Sequence, residues 1–326
     1  MTRTQVTPRT RARRRAVRAR RRRERAAGII AVTIATIVAL SVLGGILSGG
    51  QWPWAFASYL RWPQTIVGTA AAGVLLYVRW WRSGVVSAIV AAGLIVSVAA
   101  PWTALTTVDA PAEETVRIAV YNTGAGRGDV DEFAAAIAEL DADVVVLLES
   151  AEIADEIADR LDGLMRLPTS PSTDRNRPPP AVLAHRRWPV QVVPLADTRP
   201  AAVVSVDVDG APLDIVAFHP LPPITRAWSD SHDRSITAMV DTVLPRDVPY
   251  VVACDCNSAP WSPSMRRLLD AGVRAPTVAP TFGAPLIGIP LDHVLLSEDV
   301  AAVTREVGSF AHSDHRPIMT EVTITR

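Results

Sequence analysis

The chain has 326 residues, 49% hydrophobic and 20% charged, with a mean hydropathy of +0.21. That length fits two units, the composition excludes a dominantly disordered chain, and two cysteines exclude a disulfide scaffold. The formal net charge of zero conceals three unlike parts. Residues 1–27 carry twelve arginines and one glutamate, a charge of +11; residues 28–108 carry Arg61, Arg79 and Arg82 and no acid. Residues 109–326 set 18 arginines against 32 acids, a charge of −14. Every basic residue is arginine, which fits coding bias better than selection for chemistry.

After the basic tail, Gly28–Leu47 is a run of twenty uncharged residues, about 30 Å of helix, enough to cross a hydrocarbon core. A second run, Gln64–Val78, spans only if it starts near Tyr59 with Arg61 reaching the interface. Gly84–Leu105 is the third. Trp52, Trp54, Trp62, Trp80, Trp81 and Trp102 fall at the ends of these runs, where amphipathic rings favour the headgroup layer. The first run exceeds the apolar core of a signal peptide and lacks a clear cleavage site, so an anchor is expected. The arginines before it and between spans two and three should stay cytoplasmic. This predicts a multi-pass protein of the cell membrane with a cytoplasmic N-terminus, lipid contacts, and residues beyond 106 outside the cell. An arginine-rich tail also suits nucleic acid, but topology and anionic lipid explain it more simply.

Residues 106–116 read as a polar linker and 117–326 as one α/β domain. Strands are expected at 117–122, 144–149, 181–185, 201–208, 213–219, 249–257, 291–297 and 317–324, with helices at 129–140, capped by Asp129, and 235–244. Residues 168–180 read as a loop. Several strands end on polar residues: Asn122, Glu149, His219, and Asp255 with Asn257 two positions on. One such residue is an ordinary strand end. Several together imply a shared polar site, because an unpaired acid or imidazole beside an apolar strand is costly.

In order, Asn122, Glu149, His219, Asp255-x-Asn257, Asp292 in LDH and Asp314-His315 in SDHRP resemble the motif set of the endonuclease/exonuclease/phosphatase superfamily. The resemblance covers 117–322. It implies a deoxyribonuclease I-like α/β (α+β) fold, a four-layer sandwich of two packed β-sheets flanked by helices, here following transmembrane helices. It implies a hydrolase of phosphate mono- or diesters. Asn122, Glu149 and Asp314 would be metal ligands, Glu149 the principal one. Hard oxygen donors suit magnesium, or manganese in its place. His315 would be the catalytic histidine, oriented by Asp292; Asp255 and Asn257 would position the water and the phosphoryl oxygens. His219 would contact the phosphate or assist the leaving group. Ala253-Cys254 departs from the glycine common in the family before the aspartate, and Cys256 from the frequent aromatic.

Other readings stay open at this level. The substrate could be a lipid, a nucleotide or extracellular nucleic acid; a charge of −14 disfavours nonspecific nucleic-acid binding, unless Arg175, Arg177, Arg186 and Arg187 form a local basic patch. A catalytically inactive membrane scaffold would keep the same fold, and no protein partner is identifiable. His312-x-x-His315 is a weak zinc pattern. Gly124, Gly126 and Gly128 imitate a dinucleotide loop without its spacing. His185 and His232 read as surface or loop histidines. Cys254 and Cys256, two apart on a strand, should face the same way and remain thiols, because a bridge there would be strained.

Overall fold

The computed structural model describes residues 8–47, 51–101, 107–111, 114–124, 128–168, 178–185, 188–195, 198–274, 277–284 and 288–325. Trp102, the proposed basic patch at Arg175, Arg177, Arg186 and Arg187, and the centre of the 168–180 loop lie outside these residues.

Four helices open the chain: α1 (Pro8–Leu47), α2 (Trp54–Tyr59), α3 (Arg61–Tyr77) and α4 (Trp81–Ala99). The basic tail and the first apolar run form one continuous helix, since arginine is a good helix former and no proline interrupts the run after Pro8. Two of these helices, α1 and α4, are long and apolar enough to cross a membrane. With 17 residues, α3 is shorter than the roughly 20 a perpendicular span needs. It packs beside α1, where Ala71 and Leu75 meet Ala31. Gln64 Nε2 donates to Ser41 Oγ and to Ala57 O, each at 2.9 Å, tying α3 to α1 and α2. A side chain at Gly28 would collide with the Trp80 ring, and one at Gly44 with the Trp54 ring. The α3–α4 turn therefore sits beside the basic end of the apolar stretch of α1, and α2 beside its other end.

The remaining elements, in chain order, are β1 (Val116–Asn122), α5 (Val130–Ala138), β2 (Val144–Leu148), α6 (Ala154–Ala158), β3 (Met165–Arg166), β4 (Ala181–Ala184), β5 (Val190–Val193), β6 (Ala201–Val208) and β7 (Ala211–Phe218). After them come α7 (Arg226–Ala238), a π-helical turn (Met239–Val243), β8 (Tyr250–Asp255), α8 (Pro263–Asp270), β9 (Asp292–Leu296), β10 (Val300–Val307) and β11 (Ile318–Ile324). One sheet runs β10-β11-β1-β2-β4-β3 and the other β5-β6-β7-β8-β9. Their inner faces share one core, in which Ile118, Val120 and Val146 pack with Ile215, Val251 and Val294. Outside the first sheet, Phe133 and Ile137 of α5 cover Tyr121 and Leu147. Outside the second, Ile236 of α7 and Leu268 of α8 cover Phe218 and Val252. The result is four layers, helix on sheet on sheet on helix.

The pairing of the central strands positions the site. β1 and β2 are parallel, and so are β7 and β8. Each pair is joined through a helix, so the carboxyl ends of all four strands carry Asn122, Glu149, His219 and Asp255.

The eight expected strands are all present, with ends shifted by one or two residues. The strands not anticipated, β3, β5 and β10, lie at sheet edges. Edge strands are half wetted, and their sequences lack the apolar run that marks a central strand. Asp129 caps α5 as expected, accepting from Asp131 N at 2.8 Å. The helix expected over 235–244 starts nine residues earlier, capped by Thr225. Its polar first half buries little but Ser229 and His232, so periodicity does not show there.

Two expectations are corrected. Cys254 and Cys256 form a disulfide. β8 ends at Asp255, so Cys256 lies past the strand, and the Cα atoms stand 5.0 Å apart, within bridging range. His232 is buried, not on the surface: its Nδ1 donates to Leu221 O at 2.9 Å and its Nε2 accepts from Ser258 Oγ at 3.1 Å.

Candidate active site

Asp255, buried at the end of β8, is the centre of the cluster. Asn122 Nδ2 donates to its Oδ2 at 2.9 Å and Asn257 N to its Oδ1 at 2.9 Å. His219 Nδ1 lies 3.7 Å and His315 Nε2 3.8 Å from Oδ2. Burial, then the charge of Asp292, push the Asp255 carboxyl above its ordinary range, and the two histidines oppose that.

The loop 313–315 reaches the cluster from the other sheet. Ser313 Oγ donates to Asn122 O at 2.7 Å and accepts from His315 N at 3.0 Å. His315 Nδ1 donates to Asp292 Oδ2 at 2.8 Å. Thr281 Oγ1 accepts from the backbone N–H groups of Leu291 and Asp292, fixing the entry to β9. Burial pulls the His315 pKa down, but Asp292 and Asp255 outweigh it, and the imidazole is pushed up to about 10. Phe282 packs on the ring with centroids 4.9 Å apart.

Glu149 follows β2 in a left-handed conformation at φ +55°, as Asn257 follows β8 at +45°. Non-glycine residues there store roughly 1–3 kcal/mol of strain, which functional sites tolerate. The turn aims the Glu149 carboxylate at the cluster, 3.0 Å from His219 Nε2. That hydrogen bond, against burial, and with Arg199 and Asn122 adding to it, holds the Glu149 pKa down at about 2. Asn122, Glu149, Asp255, Asn257, Asp314 and His315 line one cavity of about 690 Å³. Gly124, at φ +62°, borders it, and a Cβ there would come within 3.2 Å of Asp314 Oδ1.

Each residue expected in the site thus belongs to one cluster, with Asp292 behind His315 and His219 behind Glu149. Asp255, Asp292 and His315 also offer atoms within 4.8 Å of one another, a spacing that could hold a metal. Within the trio, Asp292 Oδ2 is engaged by His315, Asp292 Oδ1 is buried without a hydrogen-bond partner, and His315 Nε2 stands 3.8 Å from Asp255. Asn122, Glu149 and Asp314 line the cavity, Asn122 Oδ1 also accepting from Gly124 N at 2.9 Å, and a hard divalent cation fits a set of oxygen donors of this kind.

Sequence reasoning missed Arg199. It lies before β6 and lines a smaller cavity of about 90 Å³ with Glu149 and His219. Its charge acts on Glu149 and Asp255, and burial lowers its own pKa. Nothing in its DTRP surroundings distinguishes it from other loop arginines.

Two sheets lie back to back, with acids, amides and histidines gathered where their central strands end. The sequence profile of the endonuclease/exonuclease/phosphatase family matches residues 119–315, and the chain belongs to that family, whose members hydrolyse phosphoester bonds. Among solved structures, an endonuclease/exonuclease/phosphatase from Beutenbergia cavernae is 18% identical, with a TM-score of 0.51, over 65% of this chain and 72% of that one. A mannosyl-6-phosphatase from Bacteroides thetaiotaomicron is 12% identical, with a TM-score of 0.50, over 64% and 100%. Humanized TDP2 from D. rerio is 13% identical, with a TM-score of 0.50, over 64% and 99%. These likenesses concern the fold. No curated protein matches the chain.

Proposed function

We propose that the chain is a membrane-anchored, divalent-metal-dependent phosphoesterase. The observation that carries this reading is the hydrogen-bonded His315–Asp292 pair, beside Asp255 and opening on the same cavity as Asn122, Glu149 and Asp314. Glu149, Asn122 and Asp314 would hold magnesium or manganese, and the bound ion supplies Lewis-acid stabilisation of developing negative charge. Asp292 fixes the ring of His315 so that Nε2 carries a proton toward the phosphoryl group. Asp255 and Asn257 position the attacking water and the phosphoryl oxygens. His219, steadied by Glu149 and by the Asp255 carbonyl, contacts the phosphate or the leaving group.

In this proposal α1, α3 and α4 span the membrane, the arginine tail stays cytoplasmic, and the catalytic domain lies outside. Two features support it: α3 runs beside α1 with the Trp80 turn at the basic end, and the Cys254–Cys256 disulfide suits an oxidising compartment. The test is hydrolysis of phosphomonoesters, phosphodiesters, nucleic acid and phospholipid by the detergent-solubilised full chain, with magnesium and then with excess chelator. Metal-dependent release of phosphate or of an alcohol supports the reading; hydrolysis unaffected by chelator removes it.

A further inference from the structure

Part of the lining of the large cavity comes from the helical N-terminal region. Phe56, Tyr59 and Leu60, from α2 and the residue after it, line the same cavity as Asp255 and His315. This segment is docked on the catalytic domain: Trp261 Nε1 donates to Ser58 O at 2.8 Å. Tyr59 and Val98, the latter near the end of α4, are buried with Ala259 and Trp261, and Phe56, Trp62 and Ile289 pack around them. The site therefore opens where α1 ends and α3 begins.

The lining divides by polarity. Its floor carries the amides, acids and histidine already described. Its sides carry Phe56, Leu60, Ile224, Phe282, Ile289 and Leu291. Ile224 is 51% exposed, and Trp52 and Trp54, just before or at the start of α2, are 42% and 40% exposed. Tryptophans exposed at the end of apolar helices favour the interfacial layer. A small hydrophilic phosphoester would use the floor and gain little from these sides. A nucleic acid would meet a domain of charge −14 through an apolar mouth.

We infer that the cleft takes a phosphoester carried on a membrane lipid, with the phosphate on the polar floor and the acyl or alkyl chain leaving between Phe56, Leu60 and Ile224 toward the bilayer. This assignment rests on the phosphoesterase reading above and adds the substrate class. Burial of the first chain segments against this wall favours the lipid over its headgroup alone. The α2 segment is thus part of the substrate site as well as a connection between helices.

The test uses the full chain in proteoliposomes with magnesium. Dioleoyl phosphatidic acid is compared with glycerol 3-phosphate, and dioleoyl phosphatidylcholine with glycerophosphocholine, so that each pair differs only in its chains. For at least one pair, the lipid should be hydrolysed with a kcat/KM at least tenfold above its soluble counterpart. Phe56→Ser combined with Leu60→Ser should lower that lipid-to-soluble ratio at least fivefold. Equal rates on lipid and soluble esters, abolished by chelator, overturn the lipid assignment and leave the phosphoesterase standing. A ratio unchanged in the double variant overturns the role of α2. No hydrolysis of any of the four esters by the parent chain overturns the lipid assignment, and the phosphoesterase reading then stands or falls with the wider substrate screen.

Discussion

His315 and Asp292 come from opposite sheets of the sandwich and meet with Nδ1 2.8 Å from Oδ2. Asp292 is the first residue of β9, in the five-stranded sheet; His315 precedes β11, in the six-stranded sheet. The pair therefore reports whether the two layers are in register. It also defines a unit, since His315 without Asp292 loses both its orientation and much of the charge that holds its proton.

Because they act as a unit, His315→Ala and Asp292→Asn should each lower kcat by about 10²–10⁴, the range for a general acid or base. The double variant should be little worse than the poorer single one. Steady-state kinetics on one soluble phosphoester decide it; losses that multiply in the double variant would contradict coupling.

Glu149→Gln removes a charge that the fold holds ionised, without changing shape. We expect magnesium-dependent hydrolysis to fall to background while the thermal midpoint changes by no more than a few degrees. Magnesium titration by calorimetry should show binding weakened at least tenfold. Unchanged affinity would exclude Glu149 as a ligand.

Stability should depend on His232 below neutral pH. Burial lowers its pKa from 6.5 to about 4, outweighing the hydrogen bond from its Nδ1–H to Leu221 O, which raises it. The unfolded chain takes up a proton near 6.5 that the folded chain refuses. The contribution is therefore full above 6.5 and lost as pH falls toward 4, at about 1.4 kcal/mol per pH unit. His293, likewise lowered to about 4 by burial, adds to the same window. Denaturant unfolding at pH 7.5 and pH 5 should show a smaller loss for His232→Asn than for the parent, by about 2 kcal/mol. Equal losses would mean that His232 is protonated in the fold.

Topology gives a separate expectation. With an epitope tag after Arg326, protease added to intact spheroplasts should remove the tag, because the three proposed spans would carry the domain outside. Protection until lysis would mean that α3 does not cross, leaving two spans and a cytoplasmic domain. Its 17 residues make it the element on which the outcome turns. Leaving the tail arginines uncrossed is favourable on either side, since one at the bilayer centre costs about 2.5–3.5 kcal/mol.

Much of the domain is legible in the chain alone, for a physical reason: a central strand is buried on both faces and must be a continuous apolar run. VVVLL before Glu149 and YVVAC before Asp255 are such runs, and their polar ends mark the site because burial makes a lone polar residue there expensive. The order of Asn122, Glu149, His219, Asp255, Asp292 and His315 resembles the family's motif set, and the family profile over residues 119–315 bears that resemblance out. The apolar runs behind α1 and α4 are equally plain, as their length is a property of composition.

What the tertiary structure alone decided depends on residues distant in sequence. The edge strands β3, β5 and β10 owe their form to their neighbours, not to their own hydropathy. Arg199 becomes part of the site only because its loop folds beside Glu149. His232 is polar in a polar stretch, and only the packing of α7 buries it. Cys254 and Cys256 can bridge because the strand stops between them, which spacing in an assumed strand could not reveal. The α2 wall of the cavity is the largest such addition. No pattern in residues 54–60 indicates contact with residues two hundred positions away, and only docking of the helical region on the sandwich brings Phe56 and His315 into one cavity.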